Sequence, residues 1–267
     1  MNMKKILGLF FLIFLLTLPQ TLLAAEKVVS VVTLDGYAPY CMLKEDPVKK
    51  SMETIPPGQD SQKLRGYSWD VVRDSFHAMG YTIKLKVTPW KRAMKMTKSG
   101  KMDILMPAGK NEQRQKIFYY SQEPINEANF VIYVNKDSNL KWDGLQSLHG
   151  KDIAVRRGFN YGNKWIENKG QMDLHQVNSI MTGFKLLDAG RVDGFAGYDI
   201  NWNYALKQAG KLGEYKSLPP FGKTVEYAVG LKSNAKAPQI LEDFDKGKRK
   251  IIEDGTFKEI ENKWLGE

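Results

Sequence analysis

Cysteine is nearly missing from this 267-residue chain. Cys41 stands alone, which rules out a disulfide within the chain. It reads as a buried small hydrophobe, and no neighbouring feature argues for a reactive thiol. Histidine is almost as scarce: His77, His149 and His175 lie far apart and carry no metal-ligand spacing. No Ser/His/Asp or Cys/His arrangement accompanies them. The chain has neither G-x-x-x-x-G-K-[ST] nor a dinucleotide G-x-G-x-x-G, so the loops that cradle nucleotide phosphates are absent. After residue 25 no apolar run is long enough to span a bilayer. Acidic residues are in deficit, 30 against 40 Lys and Arg, for a formal charge of +10. The lysines are scattered, and no aromatic-basic cluster of the RNA-binding kind occurs, so nucleic acid is not an expected partner. Neither a metal nor a cofactor is expected.

The first 25 residues read as a leader. Lys4 and Lys5 form a basic start, Ile6 to Leu18 an apolar core, and Leu22-Leu23-Ala24-Ala25 a cleavage region ending in small residues. That is the pattern of a cleaved secretory signal peptide, with an uncleaved anchor as the less favoured alternative, and no cysteine beside it suggests a lipid anchor. The expected location is therefore the periplasm. Without the two leader lysines the formal charge falls from +10 to +8. It is expected as solvated surface, with some attraction for an anionic ligand or membrane face.

The stretch Pro89 to Tyr120 organises what remains. Trp90, Ala93, Met94 and Thr97 share one face of a helix, with lysines over the rest. Gly100 follows the last turn, where a left-handed residue is wanted. Asp103-Ile104-Leu105-Met106 reads as a buried parallel strand, ended by Pro107-Ala108-Gly109. Ninety positions later the pattern returns: Gly100-Lys101-Met102-Asp103 matches Gly190-Arg191-Val192-Asp193. Helix–Gly–strand junctions are common in α/β proteins, but two at corresponding places suggest two similar lobes. Lys27 to Thr33 reads as a buried strand running into Asp35-Gly36-Tyr37-Ala38-Pro39-Tyr40. Ligands in open α/β sheets sit off the carboxyl ends of strands, where this loop lies. Lys44 to Arg65 reads as a long surface loop. Ser68 is the expected N-cap of a helix striped by Trp69, Val72, Phe76 and Met79.

The W-x-R-A helix at Trp90, the G-K-x-D turn, the N-x-x-R loop ending at Arg114 and Gly66-Tyr67-Ser68-Trp69-Asp70 resemble the periplasmic solute-binding proteins of the amino-acid type, family 3. Gly190-Arg191-Val192-Asp193 and the closing Asp254-Gly255-Thr256 with Lys263-Trp264 fit as well. The resemblance implies an α/β, two-lobed periplasmic-binding-protein fold of type II, with two crossing strands forming a hinge. It places one lobe at 26–132 plus 224–267 and the other at 133–223. It also implies that Arg114 holds a ligand carboxylate, although Asn111 stands where the family has Thr. Tyr37 is expected to line the site, or else to pack around the proline turn. Trp90 either covers a flat part of the ligand or packs inside the lobe. In the resembling family the corresponding loop binds ligand from the second lobe, which makes Gly158, Phe159, Asn160 and Tyr161 candidates. From the residues alone the loop is either a plain β–α turn or one whose glycines leave N–H groups free for an anion. The family's acidic partner for a ligand ammonium falls near Tyr198 and Asp199. Asp199 has the right type but sits one residue late, and it could instead cap the next helix.

The expected function is capture of a small polar solute, an amino acid or related carboxylate, by a monomer that delivers it to an inner-membrane ABC permease. The alternatives are a ligand sensor for a membrane receptor, or a dehydratase-like enzyme on the same fold. For the enzyme, Glu123 and Glu127 are the available acid–base pair; no catalytic residue is expected.

Overall fold

The computed structural model describes residues 26–45 and 51–266; the expected leader lies outside the described residues. The first part of the chain forms β1 (Lys27–Thr33), β2 (Met42–Leu43), β3 (Glu53–Ile55), β4 (Leu64–Arg65), α1 (Tyr67–His77), β5 (Tyr81–Val87), α2 (Trp90–Lys98), β6 (Ile104–Gly109), α3 (Glu112–Ile117) and β7 (Phe118–Tyr120). β8 (Asn126–Asn135) leads to β9 (Asp152–Arg156), α4 (Gly162–Asn168), β10 (Asp173–Val177), α5 (Ile180–Asp188), β11 (Gly194–Tyr198), α6 (Asp199–Gln208) and β12 (Tyr215–Ser217). β13 (Gly222–Leu231), α7 (Ala237–Glu253) and α8 (Thr256–Leu265) close the chain.

One sheet runs through the molecule in the order β10-β9-β11-β8-β13-β6-β1-β5-β3. β5, β1 and β6 are parallel, as are β10, β9 and β11. Between the two sets lie the long strands β8 and β13, antiparallel to each other and to their outer neighbours. The chain thus leaves its first lobe along β8 and returns along β13, as the two-lobed reading requires. The β-branched run Val29, Val31 and Val32 is fully buried in β1, the centre of the first half-sheet.

The sequence repeat is a structural repeat. Gly100 and Gly190 adopt φ of 71° and 63° at the ends of α2 and α5. The aspartates that follow tie each turn to the adjacent parallel strand. Asp103 accepts from the Ser30 N–H at 2.9 Å and Asp193 from the Asp152 N–H at 3.0 Å. Met102 and Val192 are buried beneath. A second pair of sequence motifs also meets: the buried Asp70 carboxylate receives Lys263 Nζ and Trp264 Nε1, each at 2.7 Å, which fastens α8 onto α1.

Three expectations need correction. Ser68 does not cap α1; Gly66 does, with φ of 138°. The Pro39 and Tyr40 carbonyls already accept the first helical N–H groups, from Tyr67 at 2.9 Å and Ser68 at 3.1 Å. Backbone comes so close that a Cβ on Gly66 would lie 2.3 Å from the Tyr40 oxygen. Nor does Pro107 end its strand, because β6 continues to Gly109. The register of β13 shifts between Tyr227 and Val229 opposite, where Pro107 has no N–H to give. The stretch Lys44 to Arg65 is more than a loop, since β3 adds an antiparallel edge to β5 and β4 pairs with β2. Glu53 turns its carboxylate inward there to accept from Ser61 Oγ and the Gln62 N–H, both at 2.6 Å.

α7 crosses α1 closely at Gly247, where a Cβ would stand 1.9 Å from the Ser75 carbonyl oxygen. Gly247→Ala is therefore expected to lower unfolding stability by about 2–3 kcal/mol. Gly170→Ala, with open space around it, should stay within about 0.5 kcal/mol. Urea unfolding of both variants checks this, and equal midpoints would contradict the helix crossing.

Candidate ligand-binding cleft

The loops that follow the parallel strands in both lobes converge where β8 and β13 cross. After β1 the chain turns tightly, with Tyr37 N–H donating to the Cys41 carbonyl at 3.0 Å and Cys41 N–H to the Tyr37 carbonyl at 2.8 Å. The turn aims the Tyr37 ring at the second lobe. Its centroid lies 6.1 Å from Phe159 and 6.5 Å from Tyr198. Asn201 Nδ2 on α6 also donates to the Ala38 carbonyl, so the lobes meet on both sides of this turn. Tyr40 is buried and donates to the Glu127 carbonyl at 2.8 Å, a scaffold role. Cys41 is buried as expected, and burial pushes its thiol up to about 12.

Arg114 stands at the rim of the first lobe, half-buried. The Asn111 side chain accepts its backbone N–H at 2.9 Å and caps α3, the local task a Thr would also perform. Its Nη1 donates to the Gly109 carbonyl at 2.9 Å, and the guanidinium carbon sits 5.5 Å from the Trp90 ring centroid. Trp90 therefore both packs within its lobe and supports Arg114. Among the described residues Arg114 forms no ion pair. Its charge nevertheless reaches Tyr198 across the cleft. Arg92 is exposed on α2, away from these contacts.

In the second lobe Phe159 forms the wall. Its ring lies 5.0 Å from Tyr198 and 5.4 Å from Trp202, centroid to centroid. Gly158, exposed with φ of 83°, makes the turn before it. Two candidates serve the scaffold instead. Tyr161 is buried, its hydroxyl accepting from the Arg156 N–H and donating to the Ala196 carbonyl, both at 3.1 Å. Asn160 Oδ1 accepts the Gly162 N–H at 3.1 Å, so the N–H expected to seat an anion is already used, and α4 is only seven residues long. The Asn160 carbonyl accepts from Tyr198 at 2.7 Å. Asp199 has both carboxylate oxygens occupied by β8: Oδ1 takes the Asn129 N–H at 3.0 Å and Oδ2 takes Asn129 Nδ2 at 2.8 Å. Oδ1 also takes the Ile200 N–H at 2.7 Å, but α6 begins at Asp199 with Tyr198 at its N-cap and no side-chain cap, so Asp199 does not cap the helix. Tyr198, not Asp199, joins the aromatic wall. Glu123 and Glu127 pair instead with Arg249 and Lys223, each at 3.2 Å, and do not form an acid–base couple.

Sequence reasoning missed the cleft's carboxyl, Glu226 on β13. It is 9% exposed, and Oε2 accepts from Tyr37 Oη at 3.0 Å and Asn126 Nδ2 at 2.8 Å. Ser68 Oγ supports Asn126 from α1 at 2.8 Å. The available signal was an acid and an amide, Glu226 and Asn126, inside strands that otherwise read as apolar crossing segments. Burial pushes the Glu226 carboxyl above its ordinary value of 4.5, opposed by Asn126, Tyr37 and the Arg114 charge. Burial, then the neighbouring Glu226, holds the Tyr37 phenol well above its ordinary range.

The folded chain thus binds a proton at Glu226 more tightly than the unfolded chain. That contribution to stability is present at low pH and is lost as pH rises from 4.5 through the raised folded value. Glu226→Gln removes it. The difference in Tm, variant minus wild type, is expected to grow as pH rises above 4.5. Parallel melting curves across that range would contradict a raised Glu226.

Comparison with known proteins agrees with this architecture. Residues 51–267 match the family described as bacterial extracellular solute-binding proteins, family 3. The L-cystine-binding protein TcyJ of Bacillus subtilis (strain 168) is 26% identical over 218 residues, covering 76% of this chain and 77% of that relative. Among solved structures, a histidine kinase sensor domain with similarity to periplasmic binding proteins superposes with a TM-score of 0.71. It shares 20% identity over 90% of this chain and 97% of its own. An ancestral arginine-binding protein bound to arginine gives a TM-score of 0.68 and 21% identity, covering 90% of this chain and 99% of its own. At these identities the structural matches establish the shared two-lobed fold. The chain belongs to the bacterial extracellular solute-binding proteins of family 3.

Proposed function

We propose that this protein is the periplasmic solute-capturing component of an ABC-type importer and that its solute is an amino acid or a closely related carboxylate. The observation that carries the reading is Arg114, a guanidinium steadied by Trp90 and Gly109 at the meeting point of two lobes and engaged with no carboxylate among the described residues. A planar fork of N–H donors suits a ligand carboxylate. Tyr37, Phe159 and Tyr198 supply apolar walls from both lobes. The relative named for L-cystine supports a solute of the amino-acid class. Gly158 and Asn160 lie on the rim and are the backbone candidates, whereas Tyr161 acts through Phe159.

The lobes are assigned to 26–132 plus 224–267 and to 133–223, with limits that fall inside β8 and β13. Contacts from both lobes favour the closed arrangement, so a solute that touches both shifts the population toward it. The leader pattern supports export, and an inner-membrane permease is the partner that capture implies. No enzymatic step is assigned: the only carboxyls weighed as an acid–base couple are tied to surface cations. The likeness to a kinase sensor domain is one of fold and carries no sensing role by itself.

The test is thermal melting of the mature chain, stripped of co-purified solute, against L-cystine, L-arginine, L-glutamine and simple organic acids. One compound is expected to raise Tm saturably, as mass action requires of a ligand that binds only the folded state. Arg114→Ala should weaken that compound by about a hundredfold. Absence of any shift, or full retention of binding in the variant, would contradict the reading.

A further inference from the structure

Asp199, the residue expected to meet a ligand ammonium, is spent on Asn129 through both oxygens. Capture of an amino acid then requires another anion, and the cleft holds one. Glu226 uses only Oε2, which takes both the Tyr37 hydroxyl and Asn126 Nδ2. Oε1 takes no hydrogen bond among the described residues. It is not fully enclosed either, for the fully buried side-chain atoms without a partner there are Asn201 Oδ1 and Trp202 Nε1. Positioning Tyr37 would not need a charge, since a neutral amide oxygen accepts the same bonds.

The groups around Glu226 define what it can receive. Tyr37, Tyr40 and Cys41 face it from the first turn, Asn126 from β8, Arg114 from α3 and Tyr198 from β11. Arg114 is the cation in this set. It is near enough for its charge to act on Glu226, yet the two form no ion pair. A guanidinium and a carboxyl within reach of each other's charge but not paired together suit a group that carries both charges, the carboxylate toward Arg114 and the cation toward Glu226.

We infer that Glu226 Oε1 receives the α-ammonium of the captured solute while Arg114 receives its carboxylate, so that the hinge strand, and not the second lobe, reads the amino group. This rests on the amino-acid reading above. Glu226 is then a binding residue, and Tyr37 and Asn126 are positioning residues that orient its second oxygen. Capture is coupled to a proton: burial favours the protonated carboxyl in the free protein, whereas an ammonium binds the carboxylate, so binding releases a proton. Affinity for α-amino acids rises with pH and levels off once the free carboxyl is ionised.

Isothermal titration calorimetry of the mature chain tests this with L-cystine and L-glutamine against dithiodipropionate and glutaramate, which keep the carboxylates and lack the α-amino groups. Wild type is expected to favour its amino acid over the deaminated form by about a hundredfold, and Glu226→Gln to reduce that preference to about tenfold or less. Wild-type affinity should climb as pH rises above the ordinary carboxyl value of 4.5, with heats that vary with the ionisation enthalpy of the buffer. Undiminished preference in a folded Glu226→Gln would overturn the inference. Binding without proton release by wild type would do so even if the variant fails to fold. No binding of either amino acid or either deaminated form would instead sink the amino-acid reading, and this inference with it.

Discussion

The antiparallel pairing of β8 with β13 is the constraint on which the rest depends. It joins two parallel half-sheets into one sheet, and its register sets Glu226 directly opposite Asn126. From that pair a line of hydrogen bonds runs outward in both directions. Ser68 at the start of α1 donates to Asn126, Asn126 donates to Glu226, and Tyr37 donates to the same carboxyl. The Tyr37 ring then meets Phe159 and Tyr198 of the second lobe. Hinge and cleft wall are therefore not separate features. A rotation of β8 against β13 moves the carboxyl, the ring that it holds and the gap between the lobes together.

The surface and the cleft solve different electrostatic problems. Outside, a large excess of lysine is solvated, and individual ion pairs there contribute little. Inside, burial removes water from around the Glu226 carboxyl, while the Arg114 guanidinium stands half-buried beside Trp90. Removing water raises the strength of any charge contact that a solute makes, and it also makes an unmatched charge costly. A cleft of this kind therefore favours a ligand that brings the complementary charges at the right separation. Around it, the Tyr161 hydroxyl, Asn160 Oδ1 and the Asp199 carboxylate are engaged by neighbouring backbone and by Asn129.

Much of the fold was legible because its signals are local. Gly100 and Gly190 need a positive φ, Asp103 and Asp193 follow at fixed spacing, and the β-branched run of β1 must be buried. These properties survive in sequence as punctuation and period. What was not legible depends on distant partners. Ser68 looks like a cap until the Pro39 and Tyr40 carbonyls are seen to satisfy the helix start. Pro107 looks like a strand end until the shifted register of β13 accommodates it. At the site, Tyr37 stands out by its loop after a strand, whereas Arg114 and Phe159 stand out by the family resemblance and not by any local signal. Glu226 lies within a strand and acquires its setting from Asn126, Tyr37 and Arg114, residues 100, 189 and 112 positions away. No window along the chain contains that cluster.

The most direct measurement is a crystal structure of the mature chain with its captured solute. The account predicts the solute between the lobes, a carboxylate on the Arg114 guanidinium, a cationic group on Glu226 Oε1, and Tyr37, Phe159 and Tyr198 closed around the remainder. A solute seated elsewhere, or one held by Asp199 with Arg114 and Glu226 untouched, would contradict it.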